Sequence, residues 1–459
     1  MFKRVIFLLL DGARWDVFNQ LLKEGCLPTV EKYIVNPGTL LKGVTCFPST
    51  TGPAYLPYLC GLFPGTMNIP GVRWLDKKIF ARNRLSRDAL RSYMGHEAFL
   101  FNQDMENFLA LFDFFSHSAT LFSRVGKGAK ICLARKENFL FYPLAHYFHN
   151  WDRINKIVHR EIKKWVREVK EGFLFAVIAS IDAYSHLYSP FHHKTLKSYI
   201  FVNKLVVEIV PYLKDTLLIL ASDHGLSPTK KHLDLAGLIN TYKRCIYYPL
   251  IFKPKPKAAE MVSGNGMSHL YFKNSKGWAE RTLWEELEKE GIIKLLMKQQ
   301  AIDFIAGLNE KGEIVVSKID GEGRILYKED KFYYNFSGKD PLGFNQEING
   351  ICSEEGLFKS LKTPYPDSLV QLTQIFKAER CGDLVVSAKE GFDLRAHWEI
   401  PEHYGTHGAL VANQMFVPIA INTKVNVNKE AIRTVDIFPT ILRFCGKKIP
   451  EGLDGRSLY

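Results

Sequence analysis

The chain has 459 residues, 46% of them hydrophobic and 24% charged, which is a globular composition and excludes a disordered or fibrous protein. That length accommodates one large α/β domain with insertions, or two to three ordinary domains. Lys plus Arg total 61 against 48 Asp plus Glu, and the net charge of +13 favours anionic partners such as phosphate esters or an acidic membrane surface.

The basic residues are scattered, with short clusters such as Lys253, Lys255 and Lys257, so no dedicated nucleic-acid module is expected. The eight cysteines form no Cys-x-x-Cys pair, which argues against a zinc ribbon and a thioredoxin-like site. Reduced core thiols in a cytoplasmic protein are the plain expectation.

The chain opens with Phe2-Lys3-Arg4 and the apolar run Val5 to Leu10, which imitates a signal peptide. The run is shorter than a signal h-region and enters Asp11-Gly12 directly, without a small-residue cleavage site. It reads instead as a buried parallel strand whose carboxyl end delivers an aspartate, and residue 1 is expected in the mature fold. No apolar run approaches the roughly 18 residues of a membrane span, so neither a signal peptide nor a transmembrane helix is expected.

Next, Phe47-Pro48-Ser49-Thr50-Thr51-Gly52-Pro53 follows a strand-like stretch and leads into an apolar run, Tyr55 to Leu62. Pro53 suits the first turn of a helix and places Thr51 at or near its N-cap, where backbone N–H groups favour phosphate oxyanions. A hydroxyl there, activated by a metal, would serve as a nucleophile; a plain polar N-cap cluster is the other use of these residues.

Residues 76–149 fit an α/β alternation poorly and are rich in Phe and Tyr. They read as an aromatic-rich helical insertion, either core or a cap offering an apolar surface to a lipid-like substrate. An amphipathic helix follows over 153–170, with Asp152 as its N-cap and one apolar stripe through Ile154, Ile157, Val158, Ile162, Trp165 and Val166.

Two further apolar runs repeat the form of the first. Phe173 to Ile181 ends at Asp182, with His186 four residues on; Thr216 to Ser222 ends at Asp223-His224-Gly225. Three such strands describe an open α/β sheet with its chemistry at the carboxyl edge. Residues 253–364 read as a smaller α+β insertion, with a helix near 279–290 and strands near 313–317, 324–328 and 331–336. Asp383-Leu384-Val385-Val386-Ser387 is expected to return to the main sheet, leaving 1–75, 150–252 and 365–459 as the core.

Near the C-terminus, Gly405-Thr406-His407-Gly408 adds an imidazole in a glycine-flanked loop. Asp11, Asp182, Asp223, His186, His224 and His407 together form a mixed nitrogen and oxygen set suited to zinc or manganese. Six ligands exceed what one catalytic zinc uses, so a two-metal site is implied, with the ions about 3.5–4 Å apart.

In this order, Asp11-Gly12, Thr51-Gly52-Pro53 with Gly61-x-x-Pro64, Asp182-x-x-x-His186, Ser222-Asp223-His224-Gly225 and Thr406-His407-Gly408 resemble the alkaline phosphatase superfamily. The likeness is strongest to its type I phosphodiesterase/nucleotide pyrophosphatase branch. Arg433 to Thr440 and Asp454 to Leu458 are similar to the closing segment of these enzymes. The resemblance implies an alkaline-phosphatase-like open sheet flanked by helices and a metal-dependent phosphodiesterase or pyrophosphatase. It implies Thr51 as nucleophile and as a ligand with Asp11, Asp223 and His224 of one zinc, and Asp182, His186 and His407 around the other. His403, four residues before His407, is a rival ligand.

The family often carries a His-Gly pair after Gly-x-x-Pro and a nearby asparagine that steadies phosphate. Here the stretch runs from Gly65 to Trp74 without that pair, and Asn68 or Arg73 are the candidates. The sulfatase branch is similar to a Cys-x-Pro-x-Arg signature, whereas this chain has Thr51-Gly52-Pro53-Ala54-Tyr55. The phosphoglycerate mutase branch, with its serine nucleophile, also ranks low. A phosphomonoesterase and a lipid-headgroup phosphotransferase using the same site, peripherally attached to a membrane, are the alternatives to a small-molecule or lipid-headgroup phosphodiester hydrolase.

Overall fold

In the computed structural model, which describes residues 1–459 apart from 124, 250, 398, 400 and 428, the three apolar runs become neighbouring parallel strands. Thr216–Ala221, Arg4–Leu9 and Gly172–Val177 lie side by side, with Leu9 level with both Ala221 and Val177. Every residue in them is buried, which explains continuous apolar runs in place of alternation.

They form the middle of an eight-stranded sheet ordered Ile432–Arg433, Thr39–Val44, Phe416–Ile421, Thr216–Ala221, Arg4–Leu9, Gly172–Val177, Ser118–Leu121, Ile131–Leu133. Phe416–Ile421 runs against both its neighbours. The helix Asp152–Glu168 turns its stripe, from Ile154 to Val166, into the core. Its N-cap is Trp151 rather than Asp152; the aspartate sits in the first turn, where its charge still suits the positive helix end.

Two segments differ from expectation. Residues 76–149 are not an all-helical insertion, because Ser118–Leu121 and Ile131–Leu133 extend the main sheet in parallel beyond Gly172–Val177. A four-residue buried run cannot be told from a helix turn by periodicity. The strand Leu384–Ala388 does not rejoin the main sheet. It is the fourth of nine strands in a second sheet, antiparallel to Met267–Phe272 and Ile302–Leu308. A buried apolar strand carries no mark of which sheet it enters, and Asp383 anchors this one by a buried 2.7 Å ion pair with Lys77.

The expected pieces of the 253–364 segment do form, as Trp284–Lys289, Ile314–Lys318, Gly321–Lys328 and Lys331–Gly338. A third, small sheet of Gly391–Asp393, Ser227–His232 and Gly405–Thr406 carries the His407 loop to the carboxyl edge of the main strands. Among the described residues no helix is long and apolar enough to cross a membrane.

Candidate active site

Each strand of the central trio hands a carboxylate to the same edge. Asp11 lies just past Arg4–Leu9, and Gly12 follows it at φ +74°. A Cβ on Gly12 would meet Leu226 Cδ1 at 2.6 Å and Asp182 Cβ at 2.9 Å, so the close approach of these segments requires glycine. The Gly12 N–H donates to Asp223 Oδ1 at 3.1 Å, joining the first and third strand ends. Asp223 and His224 are fully buried. Asp182 and His186 stand one turn apart on the helix Ser180–Tyr188, with Nε2 3.3 Å from Oδ1.

The three imidazoles share one orientation. Nδ1 faces a backbone carbonyl in each: Gly405 O at 2.7 Å from His186, Gly225 O at 3.1 Å from His224, and Ser49 O at 3.1 Å from His407. A carbonyl only accepts, so Nδ1 carries the hydrogen and Nε2 offers its lone pair. Those Nε2 atoms turn to the carboxylates. His224 Nε2 is 3.3 Å from Asp223 and 3.7 Å from Asp11, and His407 Nε2 is 3.9 Å from Asp182.

Thr51 completes the group: its Oγ1 lies 3.0 Å from His224 Nε2 and 3.2 Å from Asp11 Oδ1. The helix after it is short, a 3-10 turn Pro53–Tyr55 continuing as Leu56–Cys60, and its N-cap is Gly52 at φ +94° rather than Thr51. Ser49 is turned away, donating to Ala409 O at 2.8 Å. Tyr55 was missed from sequence, although it stands four residues after Thr51; its hydroxyl donates to Asp11 Oδ2 at 3.4 Å.

Burial, with Asp223 and Asp182 nearby, pushes the Asp11 carboxyl well above the usual range, and burial raises Asp223. Burial also opposes the Asp182 charge, yet His186, His407 and His224 together hold it below the ordinary range. Burial and the neighbouring His224 keep His407 neutral-prone. Asp182 Oδ1 and Asp223 Oδ2 are buried and accept no hydrogen bond. Three crowded carboxylates with two orphaned oxygens and three inward lone pairs fit divalent cations.

Ligand atoms of Asp11, Asp223 and His224 lie within 4.8 Å of one another, as do those of Asp182, His224 and His407. His224 belongs to both sets by that measure. It lies nearer to Asp223, Asp11 and Thr51 than His407 does to Asp182, and His186 stands beside Asp182 at 3.3 Å.

The cluster opens into a cavity of about 440 Å³ whose walls include Arg73, Phe101, Phe122, Tyr142, His146 and Trp151. The Arg73 guanidinium sits over the Tyr248 ring at 5.1 Å and its Nε has no partner. Asn68 is placed otherwise: its Oδ1 accepts the Arg380 N–H at 3.1 Å, and it does not line the cavity. His403 does line it, with its ring 4.5 Å from that of His186 and Nδ1 unpartnered. Four of these cavity residues, Phe101, Phe122, Tyr142 and His146, come from segment 76–149, whose aromatics, Phe101 and Tyr142 among them, were read as core or as an apolar surface for substrate.

Residues 5–410 match the profile of the family "Type I phosphodiesterase / nucleotide pyrophosphatase". No curated protein sequence matches the chain significantly. Among solved structures, phosphonoacetate hydrolase from Sinorhizobium meliloti in complex with phosphonoformate is similar at 14% identity and TM-score 0.57, covering 95% of this chain and 94% of that one. Human ectonucleotide pyrophosphatase/phosphodiesterase 5 is similar at 15% identity and TM-score 0.59, covering 97% and 96%. An inactive variant of the murine protein in complex with AMP gives 15% and 0.59, covering 98% and 97%. These structures share the fold, a large central sheet flanked by helices. The chain belongs to the type I phosphodiesterase/nucleotide pyrophosphatase family of the alkaline phosphatase superfamily, and is a hydrolase acting on phosphoric ester bonds.

Proposed function

We propose that this hydrolase cleaves a phosphoric diester through a phospho-threonine intermediate on Thr51. The observation that carries the reading is the position of Thr51 Oγ1, 3.0 Å from His224 Nε2 and 3.2 Å from Asp11 Oδ1, in the lining of the cavity. Asp11, Asp223, His224 and Thr51 would hold one divalent ion and Asp182, His186 and His407 a second. Zinc suits the mixed nitrogen and oxygen set best and manganese next. Bound there, such ions supply Lewis-acid charge to phosphate oxygens and to a hydroxyl.

The chain's own residues do the rest. The hydrogen bond toward Asp11 Oδ1 orients the Thr51 hydroxyl and leaves its oxygen lone pairs for phosphorus. As the Oγ1–P bond forms, the P–O bond to the leaving alcohol breaks, and that oxygen gains a proton. Water then breaks the phospho-threonine P–O bond, restores the hydroxyl and releases a phosphate monoester. Arg73 is the one Lys or Arg among the described residues lining the cavity, which matches the single charge of a diester better than the two of a monoester. A small-molecule or lipid-headgroup diester is the substrate, and eight free thiols support a reducing, cytoplasmic setting.

The test is an acid quench of zinc-loaded enzyme during turnover of bis(p-nitrophenyl) phosphate, followed by mass spectrometry of the Thr51 peptide. A phosphoryl-ester adduct on Thr51, and a higher kcat/KM for the diester than for p-nitrophenyl phosphate, are expected. Adduct-free Thr51 with full turnover rules the intermediate out, and a preference for the monoester makes the protein a phosphomonoesterase.

A further inference from the structure

The helix Arg135–Phe148 has three distinct faces. Asn138, Tyr142 and His146, one turn apart, line the cavity beside Thr51. Ala145 is buried, and Phe141 packs against the core. The outward face carries Phe139, Leu140, Leu144 and Phe148, which are 45 to 75% exposed, and Tyr147, 77% exposed, stands at its edge and also lines the cavity. Leu140, Leu144 and Phe148 form one ridge at successive turns, and Phe139 with Tyr147 forms the next. A water-facing helix ordinarily turns polar residues outward, so a ridged apolar face of this size marks a contact surface.

Charge selects what it meets. Between residues 130 and 160, Lys130, Arg135, Lys136, Arg153, Lys156 and Arg160 stand against Glu137 and Asp152 alone. Glu137 and the adjacent Glu161 both pair with Arg160, at 3.1 and 2.6 Å, which leaves Lys130, Arg135, Lys136 and Lys156 as the flanking cations, and Arg153 lies 3.6 Å from the Phe141 ring. A second copy of this chain would bring like charges together. An anionic lipid surface complements both parts: acyl chains for the ridges and headgroups for the flanking cations. The helix also separates that surface from the cavity by its own width, and the cavity continues the apolar character through Phe101, Phe122 and Trp151. Met94, 55% exposed, stands at the mouth as well.

We propose that the helix Arg135–Phe148 seats on an anionic lipid surface and admits an amphiphilic phosphodiester from it, apolar end first, into the cavity beside Thr51. The substrate half of this proposal rests on the phosphodiesterase reading above; the docking half does not.

Full-length, zinc-loaded protein is sedimented with vesicles of phosphatidylcholine alone and with vesicles that also contain phosphatidylserine. Binding to the anionic vesicles is expected to be at least about tenfold tighter and to weaken with salt. The triple variant Leu140→Ser, Leu144→Ser, Phe148→Ser is expected to lose about tenfold or more of that binding while keeping its melting temperature and its turnover of soluble bis(p-nitrophenyl) phosphate. On a lysophospholipid, the wild-type rate is expected to rise sharply above the micelle concentration and the variant rate is not. Wild-type protein that sediments with neither vesicle, or a variant that binds as well as wild type, overturns the docking. A wild-type dimer in solution that the triple variant dissociates overturns it too, in favour of self-association. Docking without any hydrolysis of the soluble diester sinks the catalytic reading, and the substrate half with it.

Discussion

The Ser49 hydroxyl accepts the Gly408 N–H at 3.1 Å, which fastens the loop that carries Thr51 to the loop that carries His407. The same hydroxyl donates to Ala409 O, and the Ser49 carbonyl receives His407 Nδ1. The loops of Thr51 and His407 are therefore held together by one buried residue. Ser49→Ala leaves a buried N–H and a buried carbonyl without their partner, for a loss of about 1–3 kcal/mol in urea denaturation. Turnover is expected to fall about tenfold with little change in KM, because the misplacement acts on the reacting groups rather than on substrate capture.

Thr51 itself is a sharper test. Thr51→Ala removes the oxygen proposed to attack but none of the six Asp and His side chains, so metal content by atomic emission is expected to stay near wild type. The rate on a diester is expected to fall by about three orders of magnitude or more. Thr51→Ser keeps an oxygen and is expected to retain a measurable fraction of turnover. An alanine variant within about tenfold of wild type would assign the attack to another group.

Much of this site was legible in the sequence because its residues sit where parallel strands end. Asp11, Asp182 and Asp223 each close a continuous apolar run, and such runs advertise both burial and direction. The partnership of Thr51 with His224 could be read only through the family resemblance, since no local pattern ties positions that far apart. Leu384–Ala388 was legible as a strand but not as a member of the second sheet, where it pairs with Met267–Phe272 next to the buried Lys77–Asp383 ion pair. Ser118–Leu121 was hidden among aromatics that suit helix and strand alike. Tyr55, His146 and Trp151 escaped because exposure toward a cavity leaves no periodic mark.

Gly12 offers a test of the packing behind the proposed metal ligands. At φ +74° any side chain is strained, and its Cβ would press on Asp182 and Leu226. Gly12→Ala is expected to destabilise the protein by about 2–4 kcal/mol. It should also displace Asp182, weakening zinc affinity about tenfold or more in a chelator competition. Wild-type affinity in a destabilised Gly12→Ala protein would show that the Asp11 turn and Asp182 are mechanically independent.

His269 predicts a pH dependence of stability away from the ligands. Its Nε2 faces Pro70 O at 3.0 Å and its Nδ1 accepts the Gly382 N–H at 3.2 Å, so the neutral ring satisfies both partners. Burial lowers its pKa to about 4. In the unfolded chain it titrates near 6.5, so the unfolded state binds the extra proton first as pH falls. The contribution is fully present above about pH 6.5 and is lost progressively down to about pH 4, by up to about 3 kcal/mol. His269→Gln removes that titration. The stability difference between wild type and variant, from denaturant midpoints at pH 7.5 and pH 5, is expected to shrink toward the acid side; a difference independent of pH would show that the ring titrates alike in the folded and unfolded states, and one that grows toward acid would show that the fold favours the protonated ring.

Removal of the divalent ions should be felt by the fold as well as by the rate. Asp11, Asp223 and Asp182 converge in one buried space, and burial followed by the two neighbouring charges drives Asp11 far from its ordinary ionisation. A cation that binds this cluster in the folded chain, and not in the unfolded one, stabilises by mass action, about 2.7 kcal/mol at one hundred times its Kd. For a chain of this size that corresponds to a fall of about 3 °C in melting temperature on exhaustive chelation. Zinc is expected to restore both melting temperature and turnover, and Asp223→Asn, which relieves the repulsion, is expected to melt with less dependence on the chelator. Chelation that leaves both quantities unchanged would mean that the paired carboxylates are balanced by protons rather than by metal, and the site would then have to be read as an acid cluster.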